Sequence, residues 1–189
     1  MTAARKSVRR PGRKADTQRL QSMVRVDHAG EYGAVRIYQG QRAIFKGRPD
    51  KARIASQLAH MEADEQHHLD AFDTHIRNGL AKPTLLAPFW NLAGFALGAG
   101  TALLGEKAAH ACTEAVEDTI EGHYNSQIDE LTLAGETELC AQFTQFRDEE
   151  IAHKDLAVEE GAKDALGYPV LSALIKTGCH VAIEVSKRV

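Results

Sequence analysis

The amino-acid sequence predicts an all-α protein: a four-helix bundle with a long apolar crossover between its second and third helices and an additional C-terminal helix. Three observations carry this. Four long segments show helix-period apolar residues, few breakers and clear stops between them. No alternating β-branched run bounded by hairpin turns interrupts them. The chain also repeats itself: Glu31 precedes Glu65-x-x-His68 just as Glu117 precedes Glu150-x-x-His153, the ligand inventory of a carboxylate-bridged two-metal centre in such a bundle.

Residues 1–16 read as a basic tail, carrying Arg5, Lys6, Arg9, Arg10, Arg13 and Lys14 ahead of any acid. A solvated tail, attraction to an anionic membrane surface and an organelle-targeting segment are the readings open to it. The expected domain is 17–189. Its first helix runs from Thr17 to Lys46 and halts at Gly47-Arg48-Pro49, where proline cannot continue the ladder. The second runs from Asp50 to Asn78 and stops at Gly79, completing a hairpin over 17–79. The third, Glu106 to Ala134, ends at Gly135, and the fourth, Glu136 to Ala165, completes a second hairpin over 106–165. Gly167-Tyr168-Pro169 introduces a last helix over 169–188, which either caps the bundle or shares an apolar surface with the crossover.

The crossover, 80–105, contains 23 residues from Pro83 to Gly105 without a charge. That length matches a membrane span on hydropathy alone. Three features argue against spanning: Pro88 interrupts the segment, glycines and alanines dilute it from Gly94 to Gly100, and the two hairpins must meet on one side of it. A crossover packed on the bundle, or lying in a membrane interface, fits better.

The repeat is specific where a single Glu-x-x-His is not. Glu31, Tyr38 and Gln41 recur as Glu117, Tyr124 and Gln127 at identical offsets, and Glu65, His68 and Asp70 recur as Glu150, His153 and Asp155. Three residues advance a helix by about 300°, so each Glu-x-x-His pair shares a face. Position 48 lies midway between Glu31 and Glu65, and the midpoint of Glu117 and Glu150 falls beside Gly135. Each hairpin therefore brings its glutamate level with its own Glu-x-x-His. Oxygen and imidazole donors without a thiolate point to iron or manganese.

Neighbouring residues carry weaker signals. Asp64-x-x-His67 is a rival pair rotated by about 100°, and the repeat selects Glu65 and His68 over it. Tyr38 and Tyr124, two turns beyond their glutamates, are candidates to hydrogen-bond behind the ligands or to wall a pocket; core packing is the alternative for Tyr38. Asp70 and Asp155 point away from their own histidines and read as cross-helix or surface residues. Gly30 and Gly33 suggest room beside the metals for a helix contact or a substrate, with simple packing as the alternative.

Composition excludes several classes. A formal net charge of −3 and 43% apolar residues give no bias towards nucleic acid. Three cysteines, Cys112, Cys140 and Cys179, lack Cys-x-x-Cys spacing, so neither a disulfide framework nor a thiolate metal site is expected. No apolar stretch follows the basic N-terminus, so no secretory signal is expected.

The stretches RVDHAGEYGAVRIYQGQ from Arg25, PFWNLAGFALGAGTALLGEKAAHACTEAVED from Pro88, HYNSQI from His123 and FRDEEIAHKD from Phe146 resemble the demethoxyubiquinone hydroxylase family of ubiquinone biosynthesis. The resemblance runs from about Leu20 to the C-terminus. It implies a ferritin-like bundle with a di-iron centre held by Glu31, Glu65, His68, Glu117, Glu150 and His153, and His123 and Tyr124 as substrate-pocket or redox-relay residues. The activity it implies is an O2-dependent monooxygenase acting on the ring of a methoxy-methyl-polyprenyl benzoquinol, with NADH as a reductant acting directly or through the quinone. A dinucleotide glycine fingerprint is lacking. The resemblance also implies a peripheral protein on the cytoplasmic face of a bacterial inner membrane or the matrix face of the mitochondrial one. A lipid-binding or ubiquinone-biosynthesis partner protein and a homo-oligomer remain open. Two rivals stand beside this reading: a ferritin- or rubrerythrin-like protein that stores iron or removes peroxide, and a helical scaffold with vestigial carboxylates.

Overall fold

The computed structural model describes residues 16–188 and builds them into six α-helices with short connections. The basic segment ahead of Asp16 lies outside the described residues. Asp16 opens α1 (Thr17–Phe45), its side chain accepting the Gln18 amide hydrogen, the cap that spares one orphan donor of the first turn. The chain reverses at Gly47, whose φ of 81° suits a residue without Cβ. Pro49–Lys51 then form a 3-10 turn and α2 follows over Ala52–Arg77, so the second predicted helix begins with a tighter turn. The second hairpin consists of α4 (Glu106–Ala134) and α5 (Thr137–Glu159), joined at Gly135 with φ 77°.

Two boundaries differ from expectation. Helix α5 ends at Glu159 instead of Ala165, because Gly161 turns left-handed and Ala162–Asp164 continue as a 3-10 turn. The crossover is itself mostly helical: α3 spans Ala87–Leu103 and Pro88 sits in its first turn. A first-turn N–H has no intrahelical partner to lose, so Pro88 starts this helix and does not interrupt it. Among the described residues no helix is long and apolar enough to cross a membrane.

The glycines diluting α3 have a packing purpose. Helix α3 lies along the outer face of α1, and a Cβ on Gly98 would stand 1.9 Å from the Ile37 carbonyl oxygen, while one on Gly40 of α1 would stand 2.3 Å from that of Phe95. Backbones approach this closely only where side chains are missing. Gly30 and Gly33 differ: a Cβ on either meets nothing within 4 Å. Neither is needed to admit a neighbouring side chain. Helix α6 (Tyr168–Ser186) packs on α4, bringing Leu171, Ile175 and Cys179 against Cys112, Ala115 and Val116. The cysteines are free thiols.

The core is split into two apolar ends. Met23, Val24, Phe72, Tyr124, Leu131, Phe143 and Phe146 fill one, and Tyr38, Phe45, Ile54, Leu58, Met61 and Ala109 fill the other. Each fully buried large side chain contributes about 1.5–3 kcal/mol. Glu31, Glu65, His68, Glu117, Glu150 and His153 occupy the layer between, all buried.

Candidate metal centre

The apolar faces that drive α1, α2, α4 and α5 together carry these six side chains inward with them. Their ligand atoms form two overlapping groups, Glu31–Glu65–His68–Glu150 and Glu65–Glu117–Glu150–His153, with atoms within 4.8 Å of one another in each. Glu65 and Glu150 belong to both. That is the arrangement of two metal positions bridged by two carboxylates and closed by one glutamate and one histidine each.

Geometry shows which atoms face the centre. His68 Nδ1 lies 3.1 Å from Glu150, 3.4 Å from Glu31 and 3.7 Å from Glu65. His153 Nδ1 lies 3.2 Å from Glu65 and 3.4 Å from Glu150. Neither Nδ1 has a hydrogen-bond partner, nor do Glu31 Oε2, Glu117 Oε2 or either oxygen of Glu65 and Glu150. Buried polar atoms left this way cost about 1–3 kcal/mol each, more when charged. Four carboxylates and two neutral imidazoles balance two divalent cations, and cations satisfy every orphaned atom at once. The donor set therefore fits a pair of hard or borderline metal ions.

The buried carboxyls and imidazoles perturb one another strongly. Burial pushes the Glu31 carboxyl well above its usual range, with Glu150 and Glu65 adding to the shift and His68 opposing it. Glu117 is raised likewise by burial and then by Glu150 and Glu65. Burial also works to raise Glu65, but His153 and His68 outweigh it and hold the group at about 2. Burial works to lower His153, and Glu150 and Glu65 overcome it and push the ring up to about 11. Both imidazoles are held towards their charged form by the surrounding carboxylates.

The outer contacts cross between hairpins. Tyr38 of α1 donates to Glu117 Oε1 of α4 at 2.6 Å, and Tyr124 of α4 donates to Glu31 Oε1 of α1 at 2.5 Å. Each phenol occupies one carboxylate oxygen and leaves Oε2 for the centre. His68 Nε2 meets Glu149 of α5 at 2.5 Å and His153 Nε2 meets Asp64 of α2 at 3.2 Å. A carboxylate on Nε2 fixes that nitrogen as the donor and leaves Nδ1 free to ligate. Phe146 stacks on the His68 ring at 4.1 Å between centroids.

Asp64 and Glu149 are the site residues that sequence reasoning missed. The signal was there: an acid stands immediately before the ligand glutamate in both copies of the motif. Asp64 belongs to the rival pair, yet it serves the centre through His153, while its supposed partner His67 instead lines an open groove of about 750 Å³ between α2 and α5. Asp70 and Asp155 lie on the surface. His123 is not among the ligands: its side chain is 14% exposed, with Nε2 3.2 Å from Asp27, and Gln127 donates to both Asp27 oxygens at 3.0 and 3.1 Å. Tyr124, beside it in sequence, is buried.

Fold and site together define a helical-bundle protein built around a duplicated, buried carboxylate–histidine cluster able to hold metal ions. The comparisons with known proteins narrow this. The chain belongs to the family described as Ubiquinone biosynthesis protein COQ7, whose model matches residues 18–186. It is 50% identical over 183 residues to the 3-demethoxyubiquinol 3-hydroxylase of Rhodospirillum rubrum, covering 96% of this chain and 84% of that protein. It is 46% identical over 171 residues to the NADPH-dependent 3-demethoxyubiquinone 3-hydroxylase, mitochondrial, of Homo sapiens, covering 88% and 76%. It is 39% identical over 184 residues to the 5-demethoxyubiquinone hydroxylase, mitochondrial, of Saccharomyces cerevisiae, covering 90% and 78%.

Proposed function

We propose that this protein is a di-iron monooxygenase that hydroxylates the ring of a demethoxyubiquinol in ubiquinone biosynthesis. Membership of a family of hydroxylases supports the reaction class. The observation that carries the metal reading is the set of unpartnered, buried donor atoms of Glu31, Glu65, His68, Glu117, Glu150 and His153, grouped into two positions that share Glu65 and Glu150. Iron held there supplies the capacity to reduce dioxygen and deliver one of its oxygens to an aromatic ring. The balance is one quinol, one O2, two electrons and two protons giving the hydroxylated quinol and water. The reductant class is a reduced nicotinamide, in keeping with mitochondrial relatives that are named NADPH-dependent.

The chain's own groups do the rest. Tyr38 and Tyr124 hold the terminal glutamates, Asp64 and Glu149 hold the imidazoles, and the two apolar ends keep water from the layer between. Tyr124 acts by orienting Glu31, and His123, at the partly open edge of α4, meets the quinol ring. Leu85, Phe89 and Leu92 on and before α3, with Val170, Leu174 and Val181 on α6, project into solvent. This apolar surface suits a membrane interface from which a polyprenyl quinol is drawn.

The test is anaerobic reconstitution followed by turnover. Two iron ions per chain and conversion of a short-chain demethoxyquinol under O2 with a reductant are expected. Iron uptake without conversion turns the reading towards storage or peroxide removal, and a folded chain that takes up no iron turns it towards a scaffold. Flotation with anionic liposomes checks the membrane surface: a chain that stays at the bottom of the gradient lacks it.

A further inference from the structure

The internal repeat supplies a control for every residue near the centre, because each position in one half has a counterpart in the other. Tyrosines, glutamates and Gln41/Gln127 are matched. Asp27 and His123 are not: their counterparts are Thr113 and Ile37. The matched glutamines are spent differently as a result. Gln41 donates to the backbone carbonyl of Ala109 at 3.0 Å, whereas Gln127 donates to the Asp27 carboxylate and sits 3.0 Å from His123 Nε2.

A buried carboxylate is expensive, and the other half has Thr113 in place of one at the corresponding position. Asp27 is 5% exposed; burial raises its carboxyl above the ordinary range, and the contacts with His123 and Gln127 and the charge of Arg19 pull against that. Thr113, in the corresponding place, has a buried hydroxyl with no partner. The packing of this layer thus does not demand a charge at this position. On the Asp27 side the neighbouring surface is also distinctive. Arg25, two residues earlier, donates to the backbone carbonyls of Lys82, ahead of α3, and of Lys187, just past α6. The two accessory helices are thereby tied to the end of the bundle where His123 emerges.

We propose that Asp27 is a positioning residue that holds His123 with Nε2 turned inward, making the α1–α4 edge beside Tyr124 the one face of the pseudo-symmetric centre equipped to meet the quinol. The carboxylate accepts from Nε2 and Gln127 braces the carboxylate, so one ring orientation is selected. This rests on the hydroxylase reading above, and the experiment separates the two.

The iron-loaded full chain is assayed with a short-chain demethoxyquinol, O2 and reductant, alongside Asp27→Asn, His123→Gln, the double variant and Thr113→Val. Asp27→Asn is expected to lower kcat about ten- to a hundredfold, the span allowed by loss of one charge-assisted hydrogen bond, with iron per chain unchanged. In the His123→Gln background it should add nothing, because the two act as a unit. Thr113→Val should turn over at the unmodified rate. An Asp27→Asn chain as fast as the unmodified one, multiplicative losses in the double variant, or iron loss in parallel with kcat overturns the proposal. If the unmodified chain converts no quinol, the hydroxylase reading has failed, and the positioning claim is read separately from the His123 ring resonance of the metal-free protein. One fixed environment that becomes averaged in Asp27→Asn supports it; a spectrum indifferent to the substitution sinks it.

Discussion

His153 Nε2 and the Asp64 carboxylate meet at 3.2 Å across two helices from different hairpins, so the orientation of an imidazole in one half is set by an acid in the other. Glu149 and His68 repeat the relationship in reverse. Asp64→Ala is therefore expected to weaken iron binding about ten- to a hundredfold, read by competition with a chelator, while circular dichroism stays that of the unmodified chain. Equal affinity in the two proteins would show that packing alone orients the ring.

Glu117 has opposite effects in the two states of the protein. On the proposed role of Glu117 as a metal ligand, Glu117→Gln should abolish turnover and leave less iron per chain. In the metal-free protein it is a buried acid among other acids, raised by burial and by Glu150 and Glu65, and replacing it by a group that never ionises should stabilise the fold at neutral pH by about 1–3 kcal/mol, because the cost of keeping it protonated disappears. Thermal melts of both forms, with and without iron, check the reversal.

The metal-free protein should lose stability as pH rises. Glu31 and Glu117 lie well above their ordinary 4.5 in the folded chain, so their contribution is full below that value and is lost as pH climbs through the raised ones. His153, at about 11 against an ordinary 6.5, adds a contribution that persists through neutrality and disappears in alkali. Glu65, held at about 2, works the other way and is lost only in strong acid. Melting temperatures of the metal-free chain should fall between about pH 5 and pH 9, whereas iron affinity should increase over the same range because ligation displaces protons. A metal-free melting temperature that rises across it would contradict the assignment.

Gly98→Ala tests the seat of α3. The added methyl would stand 1.9 Å from the Ile37 carbonyl oxygen, and the two backbones must separate to admit it. A loss of about 1–3 kcal/mol is expected, measured by denaturant unfolding, with iron stoichiometry preserved because Ile37 is not a ligand. Gly30→Ala, whose Cβ meets nothing, should be neutral or stabilising.

The helices and the meeting of the six Glu and His side chains were legible because the chain states them twice: period, turn glycines and Glu-x-x-His spacing all agree on one register. Helix α3 was less legible, since Pro88 reads as a breaker until its position in the first turn is known, and Gly94 and Gly98 read as dilution until the backbones of Gly33 and Ile37 are seen against them. The early end of α5 depends on the left-handed Gly161, which sequence alone does not distinguish from a tolerated helical glycine. Asp64 and Glu149 escaped because residues beside a ligand point about 100° away on their own helix. Only the packing of α2 and α5 shows that this direction leads to the other motif's imidazole. The Asp27–His123 pair was hidden for a related reason: it crosses from α1 to α4, and nothing in either local sequence announces the partner.

The crossed contacts have a consequence for the integrity of the chain. Glu65 and Glu150 come from different hairpins and each belongs to both ligand groups, so neither hairpin retains a complete set alone. A nick in the connection between α2 and α3 would leave two fragments, each with half a set of donors. Rejoining them would be promoted by the ion itself, and metal loss would be felt as a loosening between the fragments, not as unwinding within either.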